Sequence, residues 1–237
     1  MIEIKALNHS FDNKQILNQV NLLVEKGTIH SLIGTTGAGK TLLLRVLAGL
    51  EKMQTGSITN SPKKLSFVFQ KNPLFPWLTL KKNLELTTGK NILDFSAQLE
   101  KFKLTEYLNL YPYEISGGTI QKFNLLRAFL SEAEVIFLDE PFSHLDIIQR
   151  ETLYEFTHEL WKEKKPTIIL VTHDIDESLL LSHKISFLSK KQKNITQTFS
   201  VKTISDLNQE NILELRKMPF YQDIFSNIYE LLKKDLV

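Results

Sequence analysis

There is no cysteine among the 237 residues. Disulfides and thiolate metal sites are therefore excluded, and a reducing compartment is the natural home. Nor is there an apolar run approaching the length of a membrane span, so any role at a membrane has to come through a partner. Neither charge sign dominates: 29 Lys and Arg against 27 Asp and Glu leave a formal net charge of +2. Such a balance does not imply a dominant nucleic-acid surface, and no nucleic-acid partner is expected. Internal repeats and low-complexity tracts are also missing. The first residues, "MIEIKALNHSF", carry charge and alternate apolar with polar positions, unlike a signal peptide.

What remains is 42% hydrophobic, enough for one large domain or one domain with an inserted subdomain. Ile2, Ile4 and Ala6 alternate with polar residues, as do Val20, Leu22 and Val24, and both segments are predicted strands with one buried face. "TIHSLIG" (28–34) is a short buried strand running into a glycine-rich turn, and "TLLLRVLAGL" (41–50) is a helix. "KLSFVFQ" (64–70), "EVIFLDEP" (134–141), "PTIILVTHD" (166–174) and "KISFLS" (184–189) are further apolar strands. The second and third of these end in acids or histidine, as buried parallel strands with functional C-terminal ends would. From about Leu78 to Tyr111 the pattern is helical and polar. Leu153, Phe156 and Leu160 share a helix face, and "FYQDIFSNIYELLKK" (220–234) is amphipathic. Strands alternating with helices predict an α/β domain with a mostly parallel sheet, and the helical middle breaks that alternation as a subdomain would.

"GTTGAGKT", Gly34 to Thr41, fits G-x-x-x-x-G-K-[ST] between a predicted strand and a predicted helix, the context this phosphate-binding loop requires. Gly34, Gly37 and Gly39 permit backbone conformations that a β-carbon would block, so N–H groups can turn inward around phosphate oxygens. The helix that follows adds the positive end of its dipole. Lys40 supplies a full charge to the β and γ phosphates, and Thr41 offers a hydroxyl to Mg²⁺. The motif by itself does not tell ATP from GTP.

Asp139 and Glu140 close the run "VIFLDE". The aspartate can hold Mg²⁺ through water, and the glutamate, one position on, can take a proton from an attacking water. Taken alone, the pair fits acids at a strand-to-turn boundary equally well. Gln70 and His173 end two other strands, where a lone polar residue is more often structural. Their convergence argues otherwise. Strand C-termini of a parallel sheet line one edge, where Gln70, Asp139, Glu140 and His173 would all meet phosphates held by Gly34–Thr41.

"PYEISGGTIQKFNLLRAF" (112–129) poses a separate question, because Gly117 and Gly118 weaken the start of a helix whose apolar face is Ile120, Phe123, Leu126 and Phe129. Together with the motifs above, the "ISGGT" segment resembles the signature of the ATP-binding cassette (ABC) family. The likeness covers nearly the whole chain in order: Walker A in "GTTGAGKT", Walker B with its catalytic glutamate in "VIFLDEP", the Q-loop at Gln70, the D-loop in "SHLD" (143–146) and the switch histidine in "VTHD". The resemblance implies a P-loop, RecA-like core with an N-terminal antiparallel β part. The whole of 1–237 would be one domain, with 1–77 and 130–237 as core and 78–129 as an α-helical signature subdomain.

It further implies a head-to-tail homodimer that binds ATP and Mg²⁺ between its subunits. Phe11 would stack on adenine, its alternative being a core phenylalanine. Gly34, Thr35, Thr36, Gly37, Ala38, Gly39, Lys40, Thr41 and Leu42 would hold the phosphates. Ser116, Gly117, Gly118 and Asp146 would complete the partner's site. Glu140, His173 and Gln70 would be catalytic, and Thr41, Gln70 and Asp139 would serve the metal.

"KNPLFPWLTLKKNL" after Gln70, "YPYEISGG", the text from Leu160 to Ile185 and the tail are similar to the importer group for nitrate, sulfonate, taurine and bicarbonate, which includes importers of vitamin precursors. That implies an ATP hydrolase held peripherally at the cytoplasmic face of the inner membrane by permease subunits, and served indirectly by a solute-binding protein. Pro76, Trp77 and Leu78 would flank the permease groove, unless Trp77 anchors the subdomain to the core. Departures from the family pattern are Thr119 after the paired glycines, Ile120, Lys122, Asn124, His144 and Leu42; none removes a phosphate or metal ligand. The rivals are a soluble ABC ATPase of DNA repair or translation, an exporter cassette and a non-catalytic cassette.

Overall fold

The computed structural model describes residues 1–12, 14–69, 74–203 and 211–236. Two sheets stand on either side of one helix. The first is antiparallel, in the order β2 (Lys14–Val24), β1 (Ile2–Phe11), β4 (Thr55–Thr59). Ile2 and Ile4 are buried as their alternation predicts, but Ala6 is not the next inward residue. It takes φ of +49°, and the register shift between Ile4 and Leu7 hands the inward place to Leu7 and then His9. Gln19, at φ +50°, breaks the alternation of β2 in the same way. Such bulges increase local twist, letting a two-stranded arm curl over its neighbour.

The second sheet has the order β5 (Leu65–Val68), β6 (Val135–Asp139), β7 (Thr167–Thr172), β3 (Ile29–Ile33), β8 (Lys184–Leu188), β9 (Ile195–Ser200). All neighbours are parallel except the last pair. The strands β3, β6 and β7 are buried at every residue; β6 and β7 accordingly read as near-continuous apolar runs, while β3 also buries His30 and Ser31, which hydrogen-bond to Ser186 and Ser182. The two faces serve different cores. Leu32, Phe137, Ile169, Val171 and Leu188 face α1 (Lys40–Leu47) and the antiparallel sheet. Ile33, Ile136, Leu138, Ile168, Leu170 and Phe187 face the remaining helices.

Those helices include α2 (Leu80–Thr88), α3 (Ser96–Lys101), α4 (Gly117–Leu130), α5 (Ile147–Lys164), α6 (Ile175–Leu181) and α7 (Pro219–Leu236). The stretch from Leu78 to Tyr111 is helical only in short pieces. Gly89 at φ +68° ends α2 with an αL cap, and a capping box at Asn91 starts a 3-10 turn at once. Asn83, fully buried, accepts from the Phe75 N–H and donates to the carbonyls of Phe75, Leu78 and Thr79. That amide fixes the turn carrying Trp77, a residue 69% exposed with its ring tilted against Phe75. Trp77 is thus displayed and does not anchor the helical stretch to the core. The polar region after residue 190 contributes β9, an exposed edge strand whose backbone pairs with β8.

Candidate functional site

Strand order brings the chemistry to one edge. Ile33 pairs with Thr172 and Asp139 with Val171, so the segments following β3, β6 and β7 emerge side by side. After β3 the chain makes the loop Gly34–Gly39 and enters α1 at Lys40. The glycines there are required for different reasons. Gly39 has φ +98°, and a β-carbon on it would stand 3.0 Å from both Ile16 and Leu17 of β2. Gly37 has φ +82°. Gly34 has no such φ: a β-carbon there would lie 2.3 Å from the Leu188 carbonyl oxygen. Its smallness answers to the close passage of β8, a correction to the purely conformational expectation.

Lys40 is only 6% exposed, and its ammonium donates to the carbonyls of Gly34 (2.8 Å) and Thr35 (3.2 Å). Burial lowers its pKa, while Glu140 and Asp139 pull it back up. Thr41 donates its hydroxyl to Asp139 Oδ1 at 2.9 Å. Burial raises the Asp139 pKa, opposed by the Thr41 hydrogen bond and by Lys40, while Glu140 reinforces the rise. A lysine, a hydroxyl and a carboxylate therefore share one partly dry corner, where a polyanion and a hard divalent cation would both find partners.

Glu140, next to Asp139, has its backbone at φ +46°, a conformation costing about 1–3 kcal/mol for a non-glycine residue. It is held there by its N–H to the Val171 carbonyl (2.9 Å) and by Ser143, which donates N–H and hydroxyl to the Glu140 carbonyl (3.3 and 3.0 Å). The result is that Glu140 Oε1 meets His173 Nδ1 at 3.3 Å, with the histidine side chain 55% exposed. A carboxylate beside an accessible imidazole suits proton transfer to or from water. Gln70 lies outside the described residues.

Phe11 is exposed at the end of β1, its ring edge-on to His9 at 4.9 Å, so it is not a core phenylalanine. Its strand pairs Ser10 with Gln15 and His9 with Leu17, next to the residues that crowd Gly39. Phe11 therefore stands at the loop's end of the arm. In the loop itself Thr36 and Gly37 are exposed and Ala38 is buried; Leu42, in the first turn of α1, is half-buried.

The other expected residues do not join this corner within one chain. Ser116 caps α4 by accepting from the Thr119 N–H at 3.2 Å, and the two hydroxyls are 2.9 Å apart. A β-carbon on Gly117 would approach Leu145, and one on Gly118 would approach Gln149 of α5. Asp146 caps α5 through the Gln149 N–H at 2.9 Å. Ser116, Gly118, Thr119, Ile148 and Gln149 line a shallow pocket of about 200 Å³. This patch presents an exposed helix N-terminus, with Ile147 and Ile148 strongly exposed beside it.

One participant escaped the sequence reading. The Thr35 hydroxyl donates to Asp235 Oδ2 at 2.9 Å, from the last turn of α7. A separation of 200 residues leaves no periodic signal, and an acid at the end of an amphipathic helix looks like ordinary solvent-facing charge.

A family profile described as "ABC transporter" matches residues 17–143. The aliphatic sulfonates import ATP-binding protein SsuB of Bacillus cereus is 37% identical over 221 residues, 88% of either chain. Its namesake in Bacillus subtilis (strain 168) is 36% identical over 207 residues, 82% of this chain and 80% of that protein. Among solved structures, the dimeric bacterial ABC transporter cassette MJ0796 superposes with a TM-score of 0.72 at 25% identity, covering 85% of this chain and 99% of that one.

Proposed function

The chain belongs to the ABC transporter family, and from that premise we propose that it is the ATP-hydrolysing subunit of an importer, driving uptake of a sulfonate-class solute through a partner permease. Two copies pair around ATP, and hydrolysis lets them part; nucleotide is the ligand that favours the closed state. The observation that carries the reading is the single edge at which Lys40, Thr41–Asp139 and Glu140–His173 gather beside the glycine loop. The solute class rests on what the SsuB relatives are named for importing.

Within the site, Lys40 leaves its own loop's carbonyls for the β and γ phosphates. The N–H groups of Gly34–Leu42 and the N-terminus of α1 surround them. Magnesium fits the oxygen donors Thr41 and Asp139, with Gln70 as a further ligand on sequence grounds; when bound, it neutralises charge on the phosphate oxygens. Glu140 accepts a proton from the attacking water, and His173, in contact with it, orients that carboxylate. Phe11 stacks on the adenine. Ser116 and the N–H groups of Gly117 and Gly118 reach the nucleotide of the second copy, with Asp146 beside them. No helix among the described residues is long and apolar enough to cross a membrane. In this reading the permease holds the subunit at the cytoplasmic face of the membrane, with the displayed Trp77 as one contact for it.

Glu140→Gln tests the assignment. The variant is expected to bind ATP with unchanged affinity, to lose at least about 100-fold in hydrolysis, and to run as an ATP-stabilised dimer on a sizing column. Undiminished turnover would remove Glu140 from the role of base.

A further inference from the structure

We propose that Asp235 is a positioning residue of the nucleotide loop, acting through the Thr35 hydroxyl, so that the C-terminal helix is part of the ATP site. The inference rests on the reading of Gly34–Thr41 as that site and goes beyond it to what holds the loop in shape.

Asp235 is 6% exposed, and each oxygen of its carboxylate accepts two hydrogen bonds. Oδ1 takes the Ser189 hydroxyl (2.6 Å) and the Lys191 N–H (3.2 Å); Oδ2 takes the Lys190 N–H (2.9 Å) and the Thr35 hydroxyl (2.9 Å). A carboxylate supplied with this many donors can stay ionised when buried. Its pKa is lowered: burial pushes it up, but the bonds from Ser189, Lys190, Lys191 and Thr35 outweigh that push. Lys191 closes the clamp from the other side by donating its ammonium to the Lys234 carbonyl at 2.8 Å. The helix behind the clamp is anchored, with Tyr221 and Ile228 buried and Phe225, Leu231 and Leu232 packed on the core.

Thr35 is where this clamp meets the chemistry. Its side chain faces Asp235, while its carbonyl accepts both the Lys40 ammonium (3.2 Å) and the Ala38 N–H (3.1 Å). Fixing the hydroxyl fixes the peptide that sets the turn of the loop and the resting place of the lysine. The turn held by the same carboxylate follows β8, whose Leu188 carbonyl abuts Gly34, and the Lys190 side chain of that turn lies beside Gly37. One residue of α7 thus ties both walls of the loop, so nucleotide meets a cradle already in shape and loses less ordering entropy on binding.

The experiment titrates a fluorescent ATP analogue into the full chain and records its Kd, the ATPase kcat and KM, and the melting temperature without nucleotide. The variants are Thr35→Val, Thr35→Ser, Asp235→Asn, Thr35→Val with Asp235→Asn, and Lys40→Met. We expect Thr35→Val and Asp235→Asn each to raise Kd about tenfold, the scale of a hydrogen bond to a charged group, with KM following and kcat changing less. Thr35→Ser should bind within about twofold of the parent, and the double variant no worse than the more affected single, because both changes break the same Thr35–Asp235 bond, the one through which Asp235 reaches the loop. Unchanged Kd in Thr35→Val would overturn the proposal, as would Asp235→Asn lowering only the melting temperature. Thr35→Ser binding as weakly as valine, or fully additive losses, would overturn it too. If Asp235→Asn fails to fold, the valine and serine variants decide alone. Lys40→Met separates the two readings: if it also binds normally, the loop is not the nucleotide site and the functional reading falls with the inference. If it alone binds weakly, only the Asp235 inference falls.

Discussion

Replacing Lys40 by methionine should damage nucleotide binding far more than it damages the fold. The side chain is almost wholly buried, and its charge is held by two carbonyls of its own loop, at 2.8 and 3.2 Å. Burial disfavours that charge, as the lowered pKa records. Methionine keeps the length and apolar stem while removing the desolvated cation. Against that relief, the Gly34 carbonyl loses a donor, costing about 1–3 kcal/mol if left wholly unsatisfied, while the Thr35 carbonyl keeps the Ala38 N–H. Gly34 and Thr35 are buried, but the next two residues, Thr36 and Gly37, are exposed, so water a short distance away can offset part of that cost. The two effects oppose, and the net change in stability should stay within about 1 kcal/mol. Binding has no such compensation. A charged hydrogen bond to phosphate disappears, worth about 1.5–3 kcal/mol, or roughly 10- to 150-fold in Kd. Calorimetric titration with ATP, alongside a thermal melt of the nucleotide-free variant, measures both. A Kd within about twofold of the parent would refute the assignment of Lys40 to the phosphates. A fall in melting temperature as severe as the loss of binding would refute the argument that its charge is a burden to the folded chain.

Other expectations come from other parts of the structure. Gly117→Asp puts a charge and a side chain on the exposed N-terminus of α4. It should leave ATP binding by the monomer intact while abolishing the ATP-dependent dimer; a dimer on a sizing column would count against the trans arrangement. Acid should weaken the fold through His30, whose pKa burial, helped by Lys184 and opposed by Glu25, lowers from 6.5 to about 4. The neutral ring's contribution is complete above pH 6.5 and lost as pH falls to about 4, because the unfolded chain binds the proton first; the loss is about 3 kcal/mol. His158, also lowered to about 4, adds a parallel loss. His30→Asn should therefore flatten roughly half of the combined fall in urea-unfolding free energy across that window; an unchanged slope would show that the ring is not buried neutral.

The parts of this fold open to sequence reasoning share a physical property. The strands β3, β6 and β7 are buried on both faces; β6 and β7 appear as apolar runs with a chemical residue at or next to the end, and β3, although it contains His30 and Ser31, is marked by the glycine loop that follows it. The strands β4 and β9 were not anticipated, because "TGSIT" and "ITQTFS" are exposed and polar; their extended state comes from the ladders of β1 and β8. The antiparallel arm was legible as strands, and Ile2, Ile4, Val20, Leu22 and Val24 face inward as their alternation predicts; only Ala6 does not, since its positive φ hands the inward place to Leu7. The helical middle was legible in kind but not in its breaks, which the caps at Gly89 and Asn91 impose.

The candidate site divides along the same line. Its residue types were readable because a glycine loop, a lysine and a hydroxyl follow one strand within a few positions, and that chemistry is local. The sequence by itself determined which strand ends carry charge and which loop can turn its N–H groups inward. Only the tertiary structure decided that Glu140 leans on His173, that Gly34 must be small for the sake of Leu188, and that Asp235 reaches back to Thr35. Those contacts join segments far apart in the chain. Their distances follow from the order in which the strands lie and from where α7 packs, and periodicity along a chain carries no record of either.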